Sequence, residues 1–111
     1  MTLKPFSIGA LRHRLMLETP VRAGDGGGGA VVTWSPIAEV WAQITPMTGK
    51  ETVVAEAIAG RVSHEIVIRY RVGVVPAMRL RWGGRIFEIL AVLVEEERGR
   101  VIRCHCREEL L

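Results

Sequence analysis

Residues 62–94 read VSHEIVIRYRVGVVPAMRLRWGGRIFEILAVLV and predict three consecutive β-strands. Apolar and polar side chains alternate along residues 62–71 and again along residues 78–82, which is the period of a strand with one buried face. The glycine pair at 83–84 predicts a two-residue hairpin turn, because glycine adopts positive φ without steric penalty. Residues 86–94 are apolar on nearly every position, which favours a strand through the middle of a sheet.

The same alternation extends to both ends of the chain. It marks strands at residues 11–18, 31–44 and 101–107. We expect Ser35-Pro36 to interrupt the second of these, because proline lacks the donor that a central ladder needs. Five glycines among residues 22–29 predict a flexible hairpin tip, or a loop that becomes ordered against a neighbouring subunit. The predicted core consists of Leu15, Leu17, Val40, Ile66, Ile68, Leu80, Ile89 and Val92.

Residues 48–60 have a different period. Apolar residues there recur on one side of a helix, Thr48 and Glu51 fit a capping box, and Gly60 is a suitable helix end. The chain is therefore predicted to be mainly β: a small antiparallel β-barrel of six to seven strands with one short inserted helix. At 111 residues it is expected to form a single domain, residues 1–111.

Composition limits the functional classes. The longest apolar run, residues 89–94, is far shorter than the ~20 residues of a membrane span, and no signal peptide begins the sequence. We expect an intracellular protein with no membrane role. The net charge of +3 is unevenly distributed, since residues 61–85 hold six arginines against one glutamate and residues 86–111 hold six glutamates against four arginines.

Four arginines are the strongest candidates for a functional surface: Arg69, Arg71, Arg79 and Arg81. Each pair projects from one face of its strand, so pairing of the two strands would assemble one basic patch. Such a patch could contact DNA phosphates or glutamates of a neighbouring subunit, with 95–97 and 108–109 as candidate glutamates. The alternative is a solvated barrel exterior.

Motifs for metal binding and catalysis are weak. Cys104 and Cys106 lie on one side of a strand and His105 on the other, whereas a zinc site needs four converging ligands. We expect the two thiols to pack in the core. The three histidines fall on separate strands, and no serine has the context of a catalytic nucleophile. We therefore expect no enzymatic activity, no cofactor and no metal.

The order and spacing of seven segments resemble the head–tail joining proteins (head-closure or stopper proteins) of long-tailed bacteriophages and gene transfer agents. The matching segments are IGALRHR at 8–14, Trp34, VWA at 40–42, GKE at 49–51, IRY at 68–70, MRL at 78–80 and GRIFEI at 84–89. The resemblance covers residues 8–109, and residues 17–22 and 25–26 look most like the gene transfer agent members. The long glycine run departs from the family pattern.

The resemblance implies a structural protein that forms a homo-oligomeric ring at the head–tail interface of a particle made in the bacterial cytoplasm. Its implied partners are the portal or adaptor protein above, the tail terminator or tail tube protein below, and packaged double-stranded DNA contacted without sequence specificity. The segment 48–60, including Lys50 and Glu51, would face the channel. The family has no catalytic residues to carry over.

Two other functions remain open from the sequence. One is a tail-completion or tail-terminator ring, which acts one step further along the tail. The other is a small β-barrel that binds nucleic acid directly. Only six aromatic residues are present and several occupy core positions, which argues against a stacking platform for single strands.

Overall fold

The computed structural model describes residues 8–24, 26–47, 62–94 and 101–109. A single 3-10 turn, Ile8–Ala10, precedes six strands: β1 (His13–Gly24), β2 (Ala30–Pro46), β3 (His64–Arg69), β4 (Arg79–Trp82), β5 (Arg85–Val94) and β6 (Val101–Glu109). All pairings are antiparallel, and the sheet closes on itself in the order β1-β2-β3-β6-β5-β4. The predicted antiparallel barrel is confirmed. The predicted helix at 48–60 lies outside the described residues.

The described part of the chain has no helix that is long and apolar enough to cross a membrane.

Alternating side chains fill the barrel interior. Its cluster contains Leu15, Leu17, Ala42, Ile66, Ile68, Val74, Met78, Leu80, Phe87, Ile89, Ile102, Cys104 and Cys106. Six of the eight predicted core residues are fully buried, and Val40 and Val92 are partly buried and pack against the cluster. Phe87 is the largest of the fully enclosed side chains.

The β1–β2 hairpin is longer than the barrel. It has twelve residue pairs, from His13↔Ala42 to Gly24↔Ala30, whereas β4 pairs with β1 only over Met16–Glu18. Residues 19–24 and 30–35 therefore extend as a two-stranded ribbon, which we call the arm. The molecule is accordingly elongated, with extents of 51 × 28 × 26 Å.

The expected interruption of β2 at Pro36 is wrong, because β2 continues through it. The register shifts instead between Leu17↔Ala38 and Glu18↔Pro36, so that Ile37 is the extra residue of a β-bulge. Proline is tolerated there because β2 pairs with β3 only over residues 42–46, so no other described strand forms a ladder with the second edge of Pro36.

The two glycine turns differ in size. Gly83 has φ 58° in the tight turn from β4 to β5, which confirms the predicted hairpin. At the tip of the arm, Gly26 and Gly28 have φ of 84° and 87°, in the left-handed region that favours glycine.

A second, smaller apolar cluster lies on the outside of the barrel. Val67 of β3 and Val101 of β6 point away from the interior and are buried beneath Leu11. The segment before β1 is held there by a hydrogen bond from the Arg12 N–H to the Ala42 carbonyl, 3.1 Å long. The alternation within β3 predicts which of its faces points inward, but it does not predict that Leu11 buries the outward face.

Candidate assembly surface

The four candidate arginines do not form one patch. In the closed sheet β3 lies between β2 and β6, and β4 lies between β1 and β5, so two strands separate β3 from β4 in either direction. The condition for one basic patch, pairing of β3 with β4, is therefore not met, because barrel closure gives each of these strands two other neighbours. Lys50 and Glu51 lie outside the described residues.

Arg79 and Arg81 share a buried carboxylate. The Nε of Arg79 donates to Oε1 of Glu18 at 2.6 Å, and Nη2 of Arg81 lies 3.4 Å from Oε2. Glu18 is only 3% exposed, and the Arg79 guanidinium lies 4.1 Å from the ring centroid of Trp34. This group ties β4 to β1 and to the base of the arm, so Arg79 is primarily structural. The sequence placed Glu18 on the outward face of β1 and gave no sign that it is buried.

Arg69 and Arg71 are different. Both are exposed, Arg69 at the end of β3 and Arg71 in the connection that follows. Within the part of the chain that the structure describes, neither has an acidic partner. Both side chains lie at the surface of the described part of the chain.

An exposed tryptophan lies beside Arg14 on the outside of the barrel. Trp41 of β2 is half exposed, and the Arg14 guanidinium of β1 lies 5.2 Å from its ring centroid while also pairing with Glu39 at 3.0 Å. The ladder between β2 and β3 ends at the pair Ala42↔Ile68, so Trp41 and Arg69 are the residues just beyond that end on their two strands. Trp and Arg are the residues that most often dominate the centre of protein interfaces. Alternation placed Trp41 outside the barrel, but nothing in the sequence joined it to these arginines.

The opposite wall of the barrel carries paired charges. Arg85 donates two hydrogen bonds to Glu108, at 2.8 and 2.9 Å, and Arg107 pairs with Glu88 at 2.8 Å. The bond from Arg85 lowers the pKa of Glu108 below its ordinary value. The carboxylate of Glu108 is thus already paired with an arginine of its own chain. The other candidate glutamates, at 95–97, lie outside the described residues.

The two cysteines are core residues, as predicted. Both are free, fully enclosed thiols, and burial raises the pKa of Cys104 to about 12. His105 points to the opposite face, where its Nε2 lies 3.4 Å from Glu65 and its buried Nδ1 has no hydrogen-bond partner among the described residues. The hydrogen bond with His105 lowers the pKa of Glu65. No group of three metal-binding side chains assembles within the described ranges.

A serine and a histidine meet where β3 begins. The Ser63 hydroxyl lies 2.9 Å from Nδ1 of His64, and Glu108 lies 4.0 Å from the other ring nitrogen. The same hydroxyl accepts the backbone N–H of Glu108 at 2.8 Å and contacts the Cys106 carbonyl at 3.4 Å. These bonds join the start of β3 to the end of β6, which is a structural role. Burial lowers the pKa of His64.

Comparison with known proteins agrees with the fold and with the resemblance. A family model for phage head completion protein matches residues 6–109. A chain from the virion of a native gene transfer agent particle is 34% identical, with 90% of this chain and 96% of that chain covered and a TM-score of 0.64. The solution structure of a protein from Shigella flexneri 2a is 27% identical, with 91% and 96% covered and a TM-score of 0.71. No curated protein matches the chain.

Proposed function

The chain belongs to the phage head completion protein family, and on that premise we propose that it forms a homo-oligomeric ring between the head and the tail of a phage or gene transfer agent. The ring holds packaged DNA in the head and gives the tail a docking surface. Its neighbours are the portal or adaptor protein on the head side and the tail terminator or tail tube protein on the other. The observation that carries the proposal is the match to a gene transfer agent virion chain over 96% of that chain's length.

The outer surface supports a role in assembly. Trp41 is half exposed and has the Arg14 guanidinium 5.2 Å from its ring centroid, and this pairing of Trp with Arg is typical of an interface centre. The barrel interior is filled by side chains, so the described strands act through their outer surfaces.

Arg69 and Arg71 are the residues best placed to contact a phosphate backbone or an acidic neighbour. Contact with phosphates is independent of sequence and weakens with salt. DNA must leave the head through the ring, so the affinity of the isolated protein for DNA is expected to be weak.

Electron microscopy of purified particles tests the proposal. A ring of copies at the head–tail interface supports it. A position between the tail terminator and the tail tube supports the alternative of a tail-completion ring, and absence from mature particles overturns both.

Charge reversal tests the arginines. Arg69→Glu combined with Arg71→Glu should leave the monomer folded, because both side chains are exposed, and should yield heads that lose DNA or lack tails. The matched control keeps the charges by changing both residues to lysine. Normal particle titre from the charge-reversed variant would exclude a role for these arginines. Sub-micromolar, sequence-selective DNA binding by the isolated wild type would instead favour the nucleic-acid-binding alternative.

A further inference from the structure

The arm has two edges along which no described strand pairs. On β1, pairing with β4 ends at Glu18, and on β2, pairing with β3 begins only at Ala42. Both edges are therefore open from the base of the arm to its tip, and most residues of the arm are exposed. An open edge presents a row of unpaired N–H and C=O groups, which is a template for another strand.

The edge of β2 has a sequence that favours such pairing. Residues 30–35 read AVVTWS, a run without charge or proline that is rich in β-branched and aromatic residues. A six-residue segment with these properties on an open edge is a typical starting point of association between strands of different molecules. Two copies of the chain that meet at this edge are therefore expected to pair unless something prevents it.

One contact fixes the direction in which the backbone groups of the arm point. The Thr33 hydroxyl lies 3.5 Å from the Val21 carbonyl oxygen, so this carbonyl points towards β2. Val21 and Thr33 are partners in the register, and hydrogen-bonded pairs alternate with non-hydrogen-bonded pairs along an antiparallel ladder. The backbone groups of the pair Val21↔Thr33 therefore point between the two strands, and those of the next pair on either side point to the open edges.

A proline stands on each open edge, and both prolines belong to non-hydrogen-bonded pairs. Pro20 pairs with Trp34, and Pro36 pairs with Glu18 two positions further along the ladder. The missing N–H of each proline therefore faces an open edge, and the ladder between β1 and β2 loses no hydrogen bond. Pro36 directly follows the AVVTWS run and precedes the β-bulge at Ile37, which adds local twist to this edge.

We propose that Pro36, together with the bulge at Ile37, keeps free copies of the chain from pairing edge to edge along β2, and that Pro20 has the same role on β1. An incoming strand meets a pyrrolidine ring where it needs a donor, which removes a hydrogen bond and blocks close approach. This protection acts on the free chain and is independent of the proposed ring.

Hydrogen exchange of the wild-type protein, followed by NMR, tests the geometry. The N–H groups of Val32 and Trp34 face the open edge of β2, whereas those of Val31 and Thr33 face β1. The outward-facing pair should exchange roughly tenfold faster or more. Equal rates at the four positions would overturn the proposal.

Removing the prolines tests the consequence. Pro36→Thr restores a donor to the edge of β2 without adding apolar surface. Sedimentation velocity should show dimers of this variant at concentrations where the wild type is monomeric, with a dissociation constant lower by about tenfold or more. Adding Pro20→Thr opens the second edge, so the double variant should form longer chains, because two different open edges allow open-ended association.

A matched control separates the edge from the loss of a proline in general. Pro76→Thr changes an exposed proline in the connection between β3 and β4, outside any strand, and should stay monomeric. A Pro36→Thr variant that is as monomeric as the wild type, or a Pro76→Thr variant that associates equally, would overturn the role of Pro36. A double variant that stops at dimers would overturn the role of Pro20.

A new proline provides the rescue. Val32→Pro blocks the same edge at an outward-facing donor and leaves the ladder with β1 complete, so adding it to Pro36→Thr should restore the monomer. In the associated Pro36→Thr variant, the N–H groups of Val32 and Trp34 should become protected from exchange. Association that Val32→Pro does not reverse, or that leaves these two groups unprotected, would place the contact elsewhere and refute the proposal.

Discussion

Replacing Arg79 by methionine should destabilise the barrel more than any other single change to its arginines. Met preserves the apolar part of the side chain over Trp34 but leaves the Glu18 carboxylate, 3% exposed, without its 2.6 Å partner. Removing one partner of a buried ion pair destabilises a protein by about 3–5 kcal/mol. Arg81 still lies 3.4 Å from Glu18, so we expect the lower end, about 3 kcal/mol, or a decrease in melting temperature of about 12 °C.

Thermal unfolding followed by circular dichroism measures this change. Arg81→Met is the matched control, since the same carboxylate is its partner but its side chain is half exposed. Arg81→Met should lower the free energy of unfolding by no more than about 1 kcal/mol. The double variant Glu18→Gln/Arg79→Met should be more stable than Arg79→Met alone, because it has no buried carboxylate and the charge left on Arg81 is half exposed. Equal effects of Arg79→Met and Arg81→Met would refute the reasoning.

Four further outcomes are expected. Leu17→Ala and Ile68→Ala should each lower the free energy of unfolding by about 2–5 kcal/mol, and an unchanged melting temperature would show that the strand register is wrong. The thiols of Cys104 and Cys106 should react with a maleimide only after unfolding in urea, because both are enclosed and burial raises the pKa of each. Burial lowers the pKa of His64 from 6.5, so the unfolded chain binds this proton first and stability falls as the pH decreases through 6.5. His64→Gln should remove that part of the pH dependence in urea titrations. The isolated protein should sediment as a monomer or a weakly associating species, and a stable closed ring at micromolar concentration without other particle proteins would contradict this.

Features decided by local sequence were predictable. The hairpin at Gly83 and the strand after it follow from a glycine pair followed by a β-rich apolar run, and both depend on neighbouring residues alone. The inward faces of β1, β3 and β6 followed from alternation, since a period of two fixes which side chains share a face.

Features decided by strand order were not predictable in the same way. Alternation gives the face of a strand but not its neighbours, so the separation of β3 from β4 required the closed sheet. Glu18 is buried by an arginine 61 residues away along the chain, a contact that no local pattern records. Of the predicted arginines, Arg69 and Arg71 remain candidates for contacts with other molecules, whereas Arg79 is largely committed to the barrel.

Neighbouring strands of the closed sheet are joined by unequal numbers of residue pairs, and this determines where the sheet opens most easily. β1 and β2 share twelve residue pairs, but β1 and β4 share only three, at Met16, Leu17 and Glu18. Local opening of the native state breaks the fewest hydrogen bonds if it starts where β4 meets β1. Backbone amides there should exchange with solvent hydrogen earlier than those between β5 and β6. The sheet can open between β1 and β4 while the β1–β2 hairpin stays paired. The arm therefore keeps its structure during this local opening.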